Sequence, residues 1–349
     1  MNIALLKRLC EAPGIPGRED AIRKVVIEEM RGLVDEISVD PMGNVIGVRK
    51  GSGGPKVAVS AHMDEIGFIV KHIEEDGYLR IHPVGGFDPR VLVAQRVHVH
   101  GFAGETLLGA VQPASKPIHL LEGELKPAKI EELVVDVGLT GDDVRKRVEI
   151  GDMVTLARTF ETLGETSVMS KSLDDRVSVF TMLEALRGLQ GQAAEIVAIA
   201  STQEEVGLRG ARTAAFSVQA DINVALDITL ALDTPGMPAD SAVTRLGKGV
   251  AIKLMDSSHI SHPKLVRHMR DICEAKGIPH QFEILPRGGT DAGAMQLAGK
   301  SNAAITLSIP TRYVHTVNEM ARITDIQATI DLLAAYLQVA GSRSYGYEV

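Results

Sequence analysis

Tryptophan is absent from the 349 residues, and aromatic side chains make up 3% of them. Sugar-stacking platforms are therefore scarce. Glycoside hydrolysis, which needs two carboxyls flanking a glycosidic bond at roughly 5 to 9.5 Å, is disfavoured. Only two cysteines occur, Cys10 and Cys273, and neither sits in a CxxC pair. They supply no disulfide framework; both read as small core residues of a protein in a reducing compartment. No apolar stretch approaches the roughly 20 residues that span a bilayer. The N-terminus has no uninterrupted apolar h-region, so the chain reads as cytoplasmic, with no membrane partner. A basic excess is also lacking: 37 Lys and Arg stand against 45 Asp and Glu, for a formal net charge of -8. That argues against nucleic acid as a partner.

What is present is enough for a sizeable core. Hydrophobic residues make up 45% of the chain, and a prior of about 150 residues per domain suggests two domains. Leu5, Leu6 and Leu9, then Ile22, Val25, Val26 and Met30, mark helical faces around Pro13-Gly14 and Pro16-Gly17. Short strands are predicted over 36–40, 44–49 and 56–61. From about 70 to 165 glycines, prolines and short strands dominate, among them 97–100, 134–137 and 153–156, as in an all-β insertion. Strands and helices then alternate. Helices are predicted over 177–189, 208–216, 263–276 and 325–339, the last with Thr324 as N-cap; strands are predicted over 196–200, 222–226, 282–285 and 303–307. Such alternation implies an α/β fold, a mainly parallel sheet sandwiched by helices. The expected division is a discontinuous catalytic α/β domain, 1–69 plus 166–349, interrupted by a β-rich domain, 70–165.

In an open α/β sheet, ligands bind beyond the carboxyl ends of the strands. The apolar run ending at Ser60 is followed by His62 and Asp64. The run ending at Ala200 is followed by Glu204 and Glu205, and Leu226 is followed by Asp227. The run ending at Ile309 leads to the loop that holds His315, and Asp174-Asp175 starts the helix after the β insertion. Each piece alone has a structural reading: a polar pair at a strand end, a carboxylate complementing a helix N-terminus, a solvated loop, a turn. Together they bring several carboxylates to one sheet edge, where like charges repel by several kcal/mol in partly buried surroundings. Cations resolve that conflict. Two imidazoles and three carboxylates suit two divalent ions sharing one bridging carboxylate, and such a pair polarises a carbonyl and activates a water.

These stretches resemble the tetrahedral (TET) aminopeptidases, glutamyl-aminopeptidase-like dinuclear metallopeptidases of which some members have carried an endoglucanase label. The matching segments are Ser60 to Phe68, Lys171 to Arg176, Gln203 to Ala211, Ala225 to Thr229, Gly288 to Gly293 and Arg312 to Thr316. The resemblance runs nearly end to end, and the combination is specific although no single motif is. It implies that His62 binds one metal and His315 the other, that Asp174 bridges them, and that Glu205 and Asp227 complete one ligand set each. It further implies that Asp64 orients His62, that Asp175 shapes the peptide bond after the bridging aspartate, and that Glu204 is the general base acting on a metal-bridging water. The implied cofactors are two divalent ions per subunit, zinc by default with cobalt or manganese as alternatives. The implied partners are peptide substrates and other copies of the chain, the β-rich segment serving oligomerisation into a hollow tetrahedral dodecamer. Ser172, Ser178, Leu230-Ala231-Leu232 and the run Val111 to Pro117 depart from the family pattern. None is a metal ligand, and all bear on pocket detail and side-chain preference.

Other groups read as less informative. Gly288-Gly289-Thr290-Asp291 is a tight loop beside the site and no phosphate loop. His98, His100, His259, His262, His268 and His280 lack ligand-like spacing and read as surface or packing residues; for His119, in the insertion, reach into a neighbouring subunit's site is the less favoured alternative to such a role. The ligand set alone also permits a related amide hydrolase, a deacylase or carboxypeptidase. A non-catalytic assembly protein that kept the fold is a further reading, against which the intact Glu204 and ligands count.

Overall fold

The computed structural model of the chain describes residues 1–115, 120, 127–299 and 302–347; His119 lies outside the described residues. Short apolar runs build the centre of a large mixed sheet. Lys56–His62 lies between Glu195–Ser201 and Ile222–Leu230, parallel to both, and Ala303–Arg312 extends the parallel set past Ile222–Leu230. These strands are buried along almost their whole length. Burial on both faces removes any need for polar alternation, so each reads as a continuous apolar run. Antiparallel strands close the flanks: Val45–Arg49 and Glu36–Val39 on one side, Glu319–Arg322, Ser167–Ser170 and Glu161–Leu163 on the other. Val250–Met255 pairs antiparallel with Ala303–Arg312 and carries His280–Ile284 parallel to itself. The α/β sandwich stands, with parallel pairing concentrated at its centre.

Helices cover the sheet. Leu173–Gly188 packs on Lys56–His62 and Ile222–Leu230 and against the helices Ile3–Glu11 and Ile323–Val339. It is buried nearly all round, its polar first turn included, so it acts as a central pillar rather than an amphipathic surface helix. Phe180, in its middle, is fully buried. Phe180→Ala should cost about 3–5 kcal/mol of stability. Chemical-denaturation midpoints would measure this, and an unshifted midpoint would show that the pillar is not under tight packing.

A second core lies inside a closed six-stranded barrel: Gly67–Ile73, Leu79–Val84, Arg96–His100, Thr106–Pro113, Leu133–Asp136 and Met153–Leu156. Closure pairs every strand edge, so this small β unit needs no helical cover. At Gly67, where the barrel leaves the sheet, an added Cβ would meet Ile15 Cγ2 at 2.3 Å and the Val154 carbonyl at 2.8 Å. The chain is therefore held tightly to both bodies there.

The closing helix begins at Ile323 with Arg322 as N-cap, not after Thr324. The strand Glu319–Arg322 runs straight into it, and the Ile323 amide donates to the Thr166 carbonyl at 3.0 Å. Asp325 then lies inside the helix and accepts from the Gly247 and Gly249 amides at 2.7 and 2.8 Å. Cys10 and Cys273 are free and buried, and burial pushes each thiol up to about 12. No helix among the described residues is long and apolar enough to cross a membrane.

Candidate active site

The carboxyl ends of the central strands converge. Lys56–His62 ends at His62, which stands in register with Ser201 at the end of the neighbouring strand. The loop after Ser201 supplies Glu204 and Glu205, Ile222–Leu230 presents Asp227, and the segment after Arg312 presents His315. Asp174 and Asp175 come from the first turn of Leu173–Gly188, and the peptide bond between them is cis. All seven of these side chains but Asp175 line one cleft of about 650 Å³. Among the described residues seven non-glycine ones have positive φ, and five of them, Ser172, Gln203, Leu208, Tyr313 and His315, belong to the three segments that deliver Asp174, Glu204-Glu205 and His315. Such conformations cost about 1–3 kcal/mol each and persist where the surroundings over-determine them, commonly at functional sites.

The two histidines are aimed by their backbone neighbours. His62 Nδ1 lies 3.0 Å from the Asp64 carbonyl and His315 Nδ1 2.8 Å from the Gly86 carbonyl. A carbonyl only accepts, so both Nδ1 atoms carry hydrogen, and in a neutral ring each Nε2 is a lone pair. Those lone pairs face carboxylate oxygens. His62 Nε2 is 3.1 Å from Asp174 Oδ1. His315 Nε2 is 3.4 Å from Asp174 Oδ2 and 3.3 Å from Glu205 Oε1. Acceptors so opposed require positive charge between them, supplied by a proton on each ring or by a metal ion that displaces it. Donor separations near 3.3 Å are what metal–ligand bonds of about 2.0–2.1 Å in tetrahedral array produce. Asp174 offers one oxygen to each imidazole, the disposition a bridging carboxylate needs.

The electrostatics agree. Burial acts to lower His62, but Glu204, Asp174 and Asp64 outweigh it and raise the ring well above its usual range. Burial also acts to lower His315, yet hydrogen bonds with Asp174 and Glu205 push it up to about 12. Burial acts upward on Asp174, but the same imidazoles hold it below the usual carboxylate range. Burial raises Glu204 well above its usual range against the pull of His62, with Asp227 and Glu205 adding to the rise. Burial and the Asp174 charge raise Asp227 likewise. These carboxylates sit together at a cost that a bound cation would relieve. Buried Asp175 Oδ1 has no hydrogen-bond donor among the described residues. Ligand atoms of His62, Asp174 and Glu205 lie within 4.8 Å of one another, as do those of His62, Asp175 and Asp227. The residues present therefore fit metal binding, and Asp175 joins the group around His62 and Asp227.

Asp64 meets His62 in two ways: through its carbonyl, as above, and through Oδ1, 3.6 Å from Nδ1. Its carboxylate also accepts the Glu204 and Glu205 amides, both at 3.1 Å. It thus ties the strand exit to the acidic loop. Sequence reasoning missed three supporting groups. Glu319, 2% exposed, accepts the Asp174 amide at 2.9 Å and the His315 amide at 2.8 Å. Asp291 accepts from Ser60 and Ser201 hydroxyls at 2.5 and 2.6 Å beneath the strand ends, so the glycine-rich loop leads into a buried anchor. Glu65 receives Lys171 Nζ at 2.6 Å, while Arg176 donates to the Leu9 and Ala12 carbonyls at 2.7 and 2.8 Å. That network fastens the N-terminal helix under the pillar. Its signal was present in Lys171 and Arg176, which flank the acidic pair in a buried helix start. Among the other histidines, His259 is buried against Asp256 at 3.0 Å and His268 packs on Tyr336.

Comparison with known proteins agrees with this architecture. The model of the M42 glutamyl aminopeptidase family matches residues 43–332. A lysyl aminopeptidase of Pyrococcus furiosus is 38% identical over 345 residues, 96% of this chain and 96% of the relative. An aminopeptidase from the archaeon Desulfurococcus kamchatkensis superposes with a TM-score of 0.94 at 38% identity, over 97% of this chain and 94% of that one. The TET1 peptidase of Pyrococcus horikoshii, which assembles into a tetrahedron or a large octahedral shell, superposes with a TM-score of 0.87 at 31% identity, over 96% and 98% of the two chains. This chain is an aminopeptidase, and it belongs to the M42 glutamyl aminopeptidase family of metal-dependent peptidases.

Proposed function

We propose that the protein removes N-terminal residues from short peptides with two divalent cations per subunit, held by His62, Asp174, Glu205, Asp227 and His315. Zinc is the default ion, with cobalt and manganese as alternatives in so carboxylate-rich a set. The observation that carries this reading is the geometry that sets the Nε2 atoms of two imidazoles against the two oxygens of Asp174. Cations held there would polarise the scissile carbonyl and bring the pKa of a water from about 16 to about 7, so no serine or cysteine nucleophile is needed. Glu204 borders the cleft with Oε2 3.8 Å from His62 Nε2. Its role is general base, then general acid: it takes the proton of the attacking water and returns it to the leaving amine. Asp64 is the positioning group that fixes the backbone of the acidic loop and the ring of His62. Chelation should abolish hydrolysis of aminoacyl-p-nitroanilides with free N-termini, and zinc, cobalt or manganese should restore it. Hydrolysis indifferent to chelator would overturn the metal assignment. Blocked N-termini cleaved as fast as free ones would overturn the aminopeptidase assignment in favour of a deacylase.

The proposal extends to assembly. Oligomerisation is assigned to the barrel, which runs from Gly67 to Leu156, so the β-rich unit expected over 70–165 begins three residues earlier and Glu161–Leu163 joins the sheet of the catalytic unit, expected over 1–69 plus 166–349. A solved relative, 31% identical, that forms a dodecamer, and the tetrahedral shell above, support a homododecamer here. Light scattering should then give twelve times the chain mass of 37.4 kDa; a monomer or dimer would overturn it.

A further inference from the structure

The cleft has a wall as well as a metal centre, and that wall is built for one kind of side chain. Its apolar members are Leu208, Ile228, Leu230, Leu285 and Val314. Hydroxyl residues interleave them, but their hydrogens are spent. Thr229 donates to Glu283 at 2.6 Å, and Thr290 Oγ1 lies 2.8 Å from Thr306 Oγ1 and 3.3 Å from Asp256 Oδ2. Ser258 donates to Asp256 at 2.7 Å, and Ser257 donates to the Gly288 carbonyl. With hydroxyls turned inward, these residues offer the cleft mostly carbon. Every carboxylate that lines it belongs to the candidate metal centre: Asp174, Glu204, Glu205 and Asp227. Among the described residues the one cationic side chain of the lining, histidines aside, is Arg287, which is exposed and has no hydrogen-bond or ion-pair partner there.

We infer that this wall receives an uncharged aliphatic N-terminal side chain, leucyl or methionyl, and that Arg287 is a specificity-determining residue that rejects lysyl and arginyl N-termini. The inference rests on the aminopeptidase reading of the same cleft. A lysyl ammonium would lose water against carbon, find no free carboxylate, and meet a like charge. A glutamyl side chain would meet Arg287 as its one uncommitted partner. That contact is solvent-exposed and therefore weak, so glutamyl substrates rank between leucyl and lysyl ones. Family membership does not decide the matter, because the family carries both glutamyl and lysyl names.

The test is a panel of leucyl-, methionyl-, glutamyl- and lysyl-p-nitroanilides on the metal-loaded full chain. The expected kcat/KM for leucyl exceeds that for lysyl by about a hundredfold, the order that pocket contacts deliver. Arg287→Glu should shrink that ratio by about tenfold and depress glutamyl turnover. In the parent, about 1 M salt should shrink it too, because exposed charges act over a screened distance. Metal content equal to the parent's shows that the variant is folded. Lysyl turnover equal to leucyl in the parent, or a ratio indifferent to both Arg287→Glu and salt, would overturn the specificity while leaving the aminopeptidase reading intact. No turnover of any free-amine substrate under any metal would overturn both.

Discussion

Replacing Glu204 by glutamine should lower kcat by about 10²- to 10⁴-fold, the range general acid–base groups contribute, and should leave metal content at the parent level. Glutamine keeps the shape of the side chain but cannot take up a proton. The loop would stay in place, because the Glu204 and Glu205 amides are held by Asp64 at 3.1 Å each through the backbone. Burial raises the Glu204 carboxyl while His62 opposes the rise, and a buried carboxyl with a perturbed pKa in a cleft is a candidate for proton transfer. Steady-state kinetics on a leucyl substrate and elemental analysis of the same sample separate the outcomes. A parent-like rate would remove Glu204 from the chemistry. A parallel fall in bound metal would make it a ligand instead.

The expected fall belongs to kcat rather than KM, because Glu204 stands against the metal centre rather than the apolar wall. Excess metal should not rescue it. That feature distinguishes a base from residues whose role is to hold ligands in place.

Why Glu204 was visible in the sequence and its supporters were not is a matter of packing. Strands buried on both faces are written as apolar runs, so a polar residue that breaks or follows such a run stands out, whether at the strand exit, as His62 does, or within the strand, as Asp227 does in register with Ser308. His62, Glu204, Glu205 and Asp227 stand out for that reason. Glu319 has no such frame. It lies in the four-residue strand Glu319–Arg322, whose burial alternates, and nothing in its neighbours sets it apart from a surface glutamate. Val250–Met255 was hidden for a related reason. Lys253 interrupts its apolar run, yet it is fully buried with its ammonium 2.7 Å from Glu283. A charge neutralised by a partner 30 positions away has no local signature. The helix Asp291–Gln296 follows two glycines and is too short to show a period. The closing helix was displaced because strand pairing at Arg322, a long-range contact, overrode a good local cap at Thr324. The barrel's β character was readable from its glycines and short strands; its closure depends on pairings such as Phe68 with Val154, distant in sequence.

Glu319 yields the second large effect. Glu319→Gln should weaken metal binding or activity by about 10- to 100-fold, the usual consequence of removing a group that orients ligands. One carboxylate here holds two peptide amides, Asp174 N on Oε2 and His315 N on Oε1. The proposed bridging ligand and the second imidazole are thus positioned by a single side chain from a third element. A glutamine offers one acceptor and one donor, so one amide would face an NH₂ group and lose its bond. An unsatisfied buried donor costs about 1–3 kcal/mol, and the strain would fall on the segments at Ser172 and His315, which already carry positive φ. Titration with zinc followed by calorimetry should therefore show a weaker Kd, and activity should recover partly in excess metal, unlike that of Glu204→Gln. If Glu319→Gln binds metal as the parent does and turns over at the parent rate, the amides must have found other acceptors. The link from Glu319 through Asp174 to His315 would then be packing without consequence for the chemistry.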